Sequence, residues 1–440
     1  MAELTASKGG RAYFVGGCVR DRIMGTESKD LDIEVHGLEP QVLLSLMEEL
    51  GEALAYGSDF GIYSIKGLDL DVALPRKEHA TGRGHRDFEV DVDPYLGLEK
   101  AARRRDFTMN ALMEDVLTGE IHDFFRGVED LKAGIIRHVD DLSFGEDPLR
   151  VLRAAQFASR FGFTVANETV KICRNMDFSA LSFERVEEEM KKALLTGEKP
   201  SVFFEVLREM DQLDHWFPEL KGLIGIEQDP VFHPEGDVWT HTMEVLDRGA
   251  AYRDRVSDPY AFMMLCLTHD FGKVVTTEKV GERIHAYGHE TEGLPLIESF
   301  LDRITGRNSL KKYVLNMEPL HMKPNMVAFN RSKLKVTNKM YDEAEAPEDL
   351  MYFASCDKPV MAGDVSFTGD ETFLKERLEA YREIMAHDHV MGRDLIEAGF
   401  EPGELMGEML EYAHKLRLAG ISKDESLKQV ISLGKKKLRE

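Results

Sequence analysis

A chain of 440 residues is too long for one hydrophobic core and should divide into two to four domains. Its 43% hydrophobic and 31% charged residues match an ordinary folded protein and exclude a disordered one. The formal net charge of -24 weighs against nucleic-acid binding, since phosphate contacts need Lys and Arg, but basic clusters at Arg76–Arg86, Lys100–Arg105, Arg331–Lys339 and Lys435–Arg439 leave room for a local basic track. Cys18, Cys173, Cys266 and Cys356 are scattered without metal-ligand spacing, which reads as free thiols in a reducing cytoplasm. The N-terminus lacks the basic stretch and apolar run of a signal peptide, and the longest apolar run, Ala261–Leu267, is too short to span a membrane. A cytoplasmic protein with no membrane partner is expected.

Tyr13–Val15 reads as a strand, after which Gly16-Gly17 turns the chain into a helix ending near Gly25. Leu31, Ile33 and Val35 alternate with Asp30, Asp32 and Glu34, which predicts a strand with one acidic face. Ile62–Ile65 and Leu70–Leu74 are further strands, followed by RKEHATGRGHRD at 76–87, a loop made flexible by Gly82 and Gly84. From about residue 145, apolar residues recur at helical spacing nearly to the end, as at Leu149–Phe161, Val186–Leu195 and Val202–Met210. The expectation is an α+β chain with a mixed sheet first and helices after it, divided near residues 140, 225 and 385.

Asp30 and Asp32, two apart on a strand, present two hard oxygen ligands to one side, as Mg²⁺ shared with a triphosphate requires. A third carboxylate on a neighbouring strand, Asp71 rather than Asp69, would complete a two-metal site. Gly16 and Gly17 open a helix, so their amides can approach phosphate oxygens without a Cβ in the way, and Arg20 adds a charge one turn later. A GG pair can also be a plain tight turn, and alternating Asp a solvated face. Asp is a poor strand former, however, so the combination points to function.

The segment YFVGGCVRDRIMGTESKDLDIEV at 13–35 resembles the head of the bacterial-type (class II) tRNA nucleotidyltransferases and poly(A) polymerases, with their GG-x-V-R-D and D-x-D pattern. AARRRDFTMNAL at 101–112, GEDPLRVLRAAQFASRFGF at 145–163 and SFERVEEEMKKAL at 182–194 follow in the same order, so the similarity spans roughly the first 225 residues. The resemblance implies a polymerase-beta-like nucleotidyltransferase head over 1–140 and an all-helical neck over 141–225. It implies that Arg105 contacts the incoming nucleotide while Asp106 and Asn110 hold the sugar and local backbone. Asp106 also suits a cap for a helix starting near Thr108. An aspartate and an arginine of an EDxxR pattern, here Asp147 and Arg150, imitate a complementary base in the family. An i, i+3 pair shares a helix face, and carboxylate plus guanidinium can read the edges of both C and A. Asp147-Pro148 equally suits a helix start. Arg153 lies one turn on, and Gln156 stands where many relatives carry a second arginine. The 76–87 loop corresponds to one that lets the pocket change size between C and A.

HPEGDVWTHTM at 233–243 and AFMMLCLTHDFGK at 261–273 place His241 and the His269-Asp270 doublet in the order of an HD-type metal phosphohydrolase, whose ligands suit a water-activating divalent transition metal. Asp357 is the candidate closing aspartate, although its flanks depart from an aspartate–x–x–glycine arrangement, and His289 and His321 would extend the set to a second metal. An HD-type domain over 226–385 and C-terminal helices over 386–440 are therefore expected. Relatives carrying such a domain resemble tRNA nucleotidyltransferases that trim 2′,3′-cyclic phosphates or phosphomonoesters. The leading expectation is an enzyme joining CTP and ATP to the 3′ end of tRNA, using two Mg²⁺. The alternatives are a poly(A) polymerase, a CC-only or A-only enzyme, or a metal phosphohydrolase with a non-catalytic RNA-binding head. Oligomeric state is open.

Overall fold

The computed structural model describes residues 1–28, 31–55, 61–67, 70–80, 88–358 and 366–438. The chain forms two compact units, Met1–Pro218 and Glu219–Glu440. The first begins with strands β1 (Arg11–Val15), β2 (Leu31–His36), β3 (Ala53–Ala55), β4 (Ile62–Ile65) and β5 (Leu70–Ala73). Next come β6 (Arg76–Ala80), β7 (Phe88–Val92), β8 (Met113–Asp115) and β9 (Ile121–His122). Seven of these form one sheet in the order β3-β4-β5-β2-β1-β8-β9, in which β2 and β5 run parallel and the other pairs antiparallel. Alternation along β2 decides which face does what. Ile33 and Val35 enter a core with Leu43, Leu46, Met47, Val72 and Leu74, under the Pro40–Leu50 helix. Asp32, Glu34 and His36 therefore share the opposite face.

The expected strands and helices appear with small boundary shifts. The helix after the glycine pair spans Gly17–Met24 and stops at Gly25, whose φ of 76° is the left-handed conformation that ends helices. The later helices span Leu149–Phe161, Phe183–Thr196 and Ser201–Glu209 and pack on one another. The start of the expected 76–87 loop is a correction: residues 76–80 are β6, paired antiparallel with β7. Its polar residues hid a strand held by backbone pairing, since no apolar alternation marks it. Residues 81–87, Asp30 and Asp69 lie outside the described residues. Two short parallel strands, β10 (Ile135–Ile136) and β11 (Thr164–Val165), complete this unit's pairing.

The second unit is helical apart from the hairpin of β12 (Glu278–Val280) and β13 (Arg283–His285). The apolar run Ala261–Leu267 lies in the Pro259–Thr268 helix, buried from Tyr260 to Thr268, so it is the unit's central core helix. No helix among the described residues is long and apolar enough to cross a membrane. All four cysteines are free and buried. Beyond residue 386, three helices share their own small core of Leu395, Phe400, Met406, Met409 and Val430.

One close approach positions the histidine region. A Cβ on Gly272 would lie 2.0 Å from the His289 carbonyl oxygen, and one on Gly293 would lie 2.7 Å from the Gly272 nitrogen. The two glycines let these backbones touch, which brings His289 beside the segment carrying Asp270. Gly272→Ala should lower the second unit's stability by about 3 kcal/mol, the upper range for forcing atoms into a filled interior. Calorimetric melting of the variant checks this, and an unchanged transition would refute the packing account.

Candidate functional site

On the acidic face, Asp32 and Asp71 are register partners on the parallel strands β2 and β5. In-register residues of neighbouring strands project to the same side, about 5 Å apart. Asp30 lies outside the described residues, so its expected place beside Asp32 is carried forward as a proposal. Gly16 has φ 72° and ψ -133°, open only to glycine at low cost. A Cβ there would stand 3.1 Å from Arg105 Nη1 and 3.7 Å from Asp32 Oδ2. The glycine turn, the β2 carboxylate and the arginine thus meet at one point.

Glu34, the next residue on that face, is the organiser that sequence reading passed over. Its carboxylate is almost wholly buried, 2.9 Å from His36 Nε2, 3.2 Å from Arg104 Nη2 and 3.5 Å from Arg105 Nη2. Burial alone would raise its pKa. The His36 hydrogen bond and the two guanidinium charges prevail and hold it at about 2. The signal was present in the sequence, where Glu34 continues the Asp30–Asp32 alternation. Among the described residues Arg105 makes only the long Glu34 contact, and its Nε is buried without a hydrogen-bond partner. A buried unsatisfied cationic donor beside two carboxylates and a glycine turn fits an anion bridged to divalent cations. The all-oxygen donor set suits magnesium.

Behind this point runs a buried polar chain. Asp106 Oδ1 accepts from the Phe107 amide (2.7 Å) and Asn110 Nδ2 (3.0 Å), and Oδ2 accepts from Arg153 Nε (2.8 Å). The short 3₁₀ turn Thr108–Asn110 has no side-chain cap, so Asp106 does not play the capping role open to it. Asn110 Oδ1 accepts from Arg20 Nη1 at 2.8 Å, and Arg20 Nε donates to Asp21 at 2.8 Å. Arg20 is 3% exposed and lies over the Phe157 and Phe161 rings, and its Nη2 would stand 3.4 Å from a Cβ on Gly17. Burial lowers its pKa against the support of Asp21. It braces the Gly17–Met24 helix against the Leu149–Phe161 helix, so Arg20 beside Gly17 and Arg105 beside Gly16 are both cations at the glycine turn.

Asp147 and Arg150 stand at the mouth of the Leu149–Phe161 helix. Asp147 Oδ1 accepts from the Leu149 amide at 3.1 Å and from Arg185 at 3.4 Å, so one oxygen does serve the helix start. Arg150 donates to the carbonyls of Ser143 (2.6 Å) and Arg104 (2.7 Å), which ties it to the segment carrying Arg105. Gln156 is buried in the same helix, and Arg153 is held by Asp106.

In the second unit the six residues singled out at 241–357 converge. His241 Nε2 is 3.1 Å from Asp357 Oδ1 and 3.7 Å from Asp270 Oδ2. His269 Nε2 lies 3.2 Å from Asp270 Oδ2, and His289 Nε2 lies 3.5 Å from Asp270 Oδ1. His289 and His321 face each other, Nε2 to Nε2, at 3.1 Å. The far nitrogens explain why this set fits cations. Nδ1 of His269, His289 and His321 lie 3.1, 2.8 and 2.7 Å from the carbonyl oxygens of Cys266, Ala286 and Glu318. A carbonyl accepts only, so each Nδ1 carries a proton, and in the neutral form of such a ring the Nε2 lone pair turns inward. Burial keeps His321 neutral, with a pKa of about 3. Two facing lone pairs repel unless a cation lies between them. His269 Nε2 is likewise buried without a hydrogen-bond partner among the described residues.

Glu235, His233 and Lys273 were not singled out beforehand. Glu235 Oε1 lies 2.6 Å from His241 Nδ1 and 2.9 Å from His233 Nδ1. Lys273 bridges Asp270 Oδ2 (2.8 Å) and Gln228 Oε1 (2.7 Å). Their signal was the HPEGD and HDFGK context itself. A cavity of about 670 Å³ opens onto Asp270, His289 and Asp357.

The β2–β5 carboxylates, the glycine turn and the braced arginine define a nucleotidyltransferase head. Residues 12–137 match the poly(A) polymerase head domain, and residues 162–223 match the probable RNA- and SrmB-binding site of polymerase A. The chain is 33% identical over 406 residues to the multifunctional CCA protein of Actinobacillus pleuropneumoniae serotype 5b (strain L20), covering 90% of this chain and 96% of that protein. It shares its fold with the Thermotoga maritima CCA-adding enzyme complexed with tRNA (TM-score 0.66, 21% identity, 98% of this chain and 93% of that one). A CCA-adding enzyme complexed with ATP is similar too (TM-score 0.68, 20% identity, 97% and 90% covered). The chain belongs to the bacterial CCA-adding enzymes, the CCA tRNA nucleotidyltransferases.

Glu34 yields a pH test. A carboxylate held at about 2 stabilises the fold fully above its unfolded pKa of 4.5 and loses that contribution as pH falls toward 2. The shift corresponds to about 3 kcal/mol. The melting-temperature gap between wild type and Glu34→Gln should be largest near neutrality and narrow below pH 4.5. A pH-independent gap would overturn the assignment.

Proposed function

We propose that this chain adds C and A from CTP and ATP to the 3′ end of tRNA, building or repairing CCA. The carrying observation is the register pair Asp32–Asp71 beside Gly16 and Arg105. Asp30, Asp32 and Asp71 would hold two Mg²⁺, which supply activation of the attacking hydroxyl and offset charge on the leaving pyrophosphate. The 3′-hydroxyl attacks the α-phosphate and pyrophosphate leaves. The Gly16 and Gly17 amides and Arg105 bind the phosphates, and Gly16 leaves the approach open. Asp106 and Asn110 position the sugar through the buried chain that ends at Arg153. Asp147 and Arg150 read the base with the acceptors and donors not taken by Leu149, Arg185, Ser143 and Arg104, and the Gln156 amide would donate to the nucleotide in place of an arginine. The division of labour follows 1–140 as catalytic head, 141–225 as selecting neck, 226–385 as HD-type domain and 386–440 as helical tail.

The His/Asp constellation supports a second activity, metal-dependent hydrolysis of a phosphate ester. His241, His269, Asp270 and Asp357 would hold one divalent transition metal. His289 and His321 would hold a second, shared through Asp270, whose two oxygens face the two histidine groups. Metal bound there supplies an activated water. Lys273 neutralises Asp270, and Glu235 orients His241.

Wild-type protein given tRNA lacking its tail should add C residues from CTP alone and complete CCA with both nucleotides. A long A tract from ATP alone would favour poly(A) polymerase instead, and no extension with any mixture would remove the proposal. Asp32→Ala should lower extension at least a thousandfold and leave phosphoester hydrolysis intact. The paired change His269→Ala with Asp270→Ala should do the reverse, measured with 2′,3′-cyclic nucleotide in the presence of Ni²⁺ or Mn²⁺. Loss of both activities in either variant would refute two separate sites.

A further inference from the structure

The cavity over the His/Asp constellation is far larger than a phosphate group needs, at about 670 Å³, and its mouth has a distinct composition. One wall is the hairpin end from β13 onward, where Arg283, His285 and Tyr287 recur every second residue. The His285 and Tyr287 rings stack, with centroids 4.9 Å apart and planes 14° from parallel. Tyr287 is nevertheless 81% exposed, and Phe232, on the same cavity, is 66% exposed. Glu227, Asp229 and Glu290 line it alongside Lys273 and Lys358, so its charge is mixed and it is not a cationic funnel for a bare anion. What it offers is planar apolar surface, a single flanking guanidinium and a metal-ligand set at the base.

We propose that the Arg283–His285–Tyr287 edge reads the terminal nucleotide of a single-stranded RNA, placing its 3′ phosphate over the His/Asp constellation. The base stacks on the Tyr287–His285 pair, and Arg283 meets the preceding backbone phosphate. Stacking tolerates any base because every base has a planar face, while the phosphate contact fixes direction along the strand. The proposal rests on the phosphohydrolase reading above and adds its specificity. Tyr287 and Arg283 determine the choice of a nucleotide terminus over a simple phosphate ester.

The test compares the metal-loaded full chain on two secondary phosphomonoesters, an RNA trinucleotide ending in a 3′ phosphate and glycerol 2-phosphate, which has no base. Tyr287→Ala should raise KM for the trinucleotide roughly tenfold with kcat unchanged, a modest loss for one stacked base, and leave glycerol 2-phosphate hydrolysis as in wild type. Tyr287→Phe should retain wild-type values, and Arg283→Ala should weaken the trinucleotide more than a 3′ mononucleotide. Equal losses on both substrates, or none on the trinucleotide, would overturn the proposal. If wild type hydrolyses neither ester, the phosphohydrolase reading fails by itself. Photocrosslinking of a trinucleotide ending in 4-thiouridine still tests the edge. Adducts at residues 278–287 support it, and adducts confined to residues 1–218 refute it.

Discussion

An ionised carboxylate removed from water must be surrounded by donors or cations, and both units are arranged around that demand. In the first, Glu34 gathers Arg104, Arg105 and His36 on the buried face of β2. Asp106 does the same for Arg153, Asn110 and the Phe107 amide. In the second, Asp270 collects Lys273 and three histidines, and the positive surroundings hold it ionised despite burial. Each carboxylate fixes the orientation of the side chains gathered around it.

The head's network ties the Leu149–Phe161 helix to the Arg104–Asp106 segment. Arg104 and Arg105 are consecutive, and their backbone is held by Arg150 through the Arg104 carbonyl. Arg153 grips Asp106, the residue after Arg105. The Leu149–Phe161 helix is thus pinned at two points to the segment that carries Arg105.

The net charge of -24 is less informative than the placement of its members. Part of the basic clusters is paired within the chain, Arg104 and Arg105 on the buried Glu34 and Lys77 with Asp93 at the surface. The second unit lines its cavity with both signs, Glu227, Asp229 and Glu290 beside Lys273, Arg283 and Lys358, and with the stacked His285–Tyr287 rings.

The α+β order, the strands at β1, β2, β4 and β5 and the long helices were legible because apolar periodicity is local. The motif residues were legible for the same reason: GG, DLDIE, RRD, EDPLR and HD each sit within a few residues. Strand β6 was not, since polar residues paired through backbone leave no pattern. Nor could the sequence say that Arg20 is a buried brace or that Glu34 is an organiser. Those roles depend on Asn110 and Arg105, some 70 to 90 positions away. By itself the sequence determined which residue types are available and on which face of each strand they lie. Only the tertiary structure decided which charges meet. The pairing of Asp32 with Asp71, of His289 with His321 and of His241 with Asp357 follows from strand register and helix packing, which no local pattern encodes.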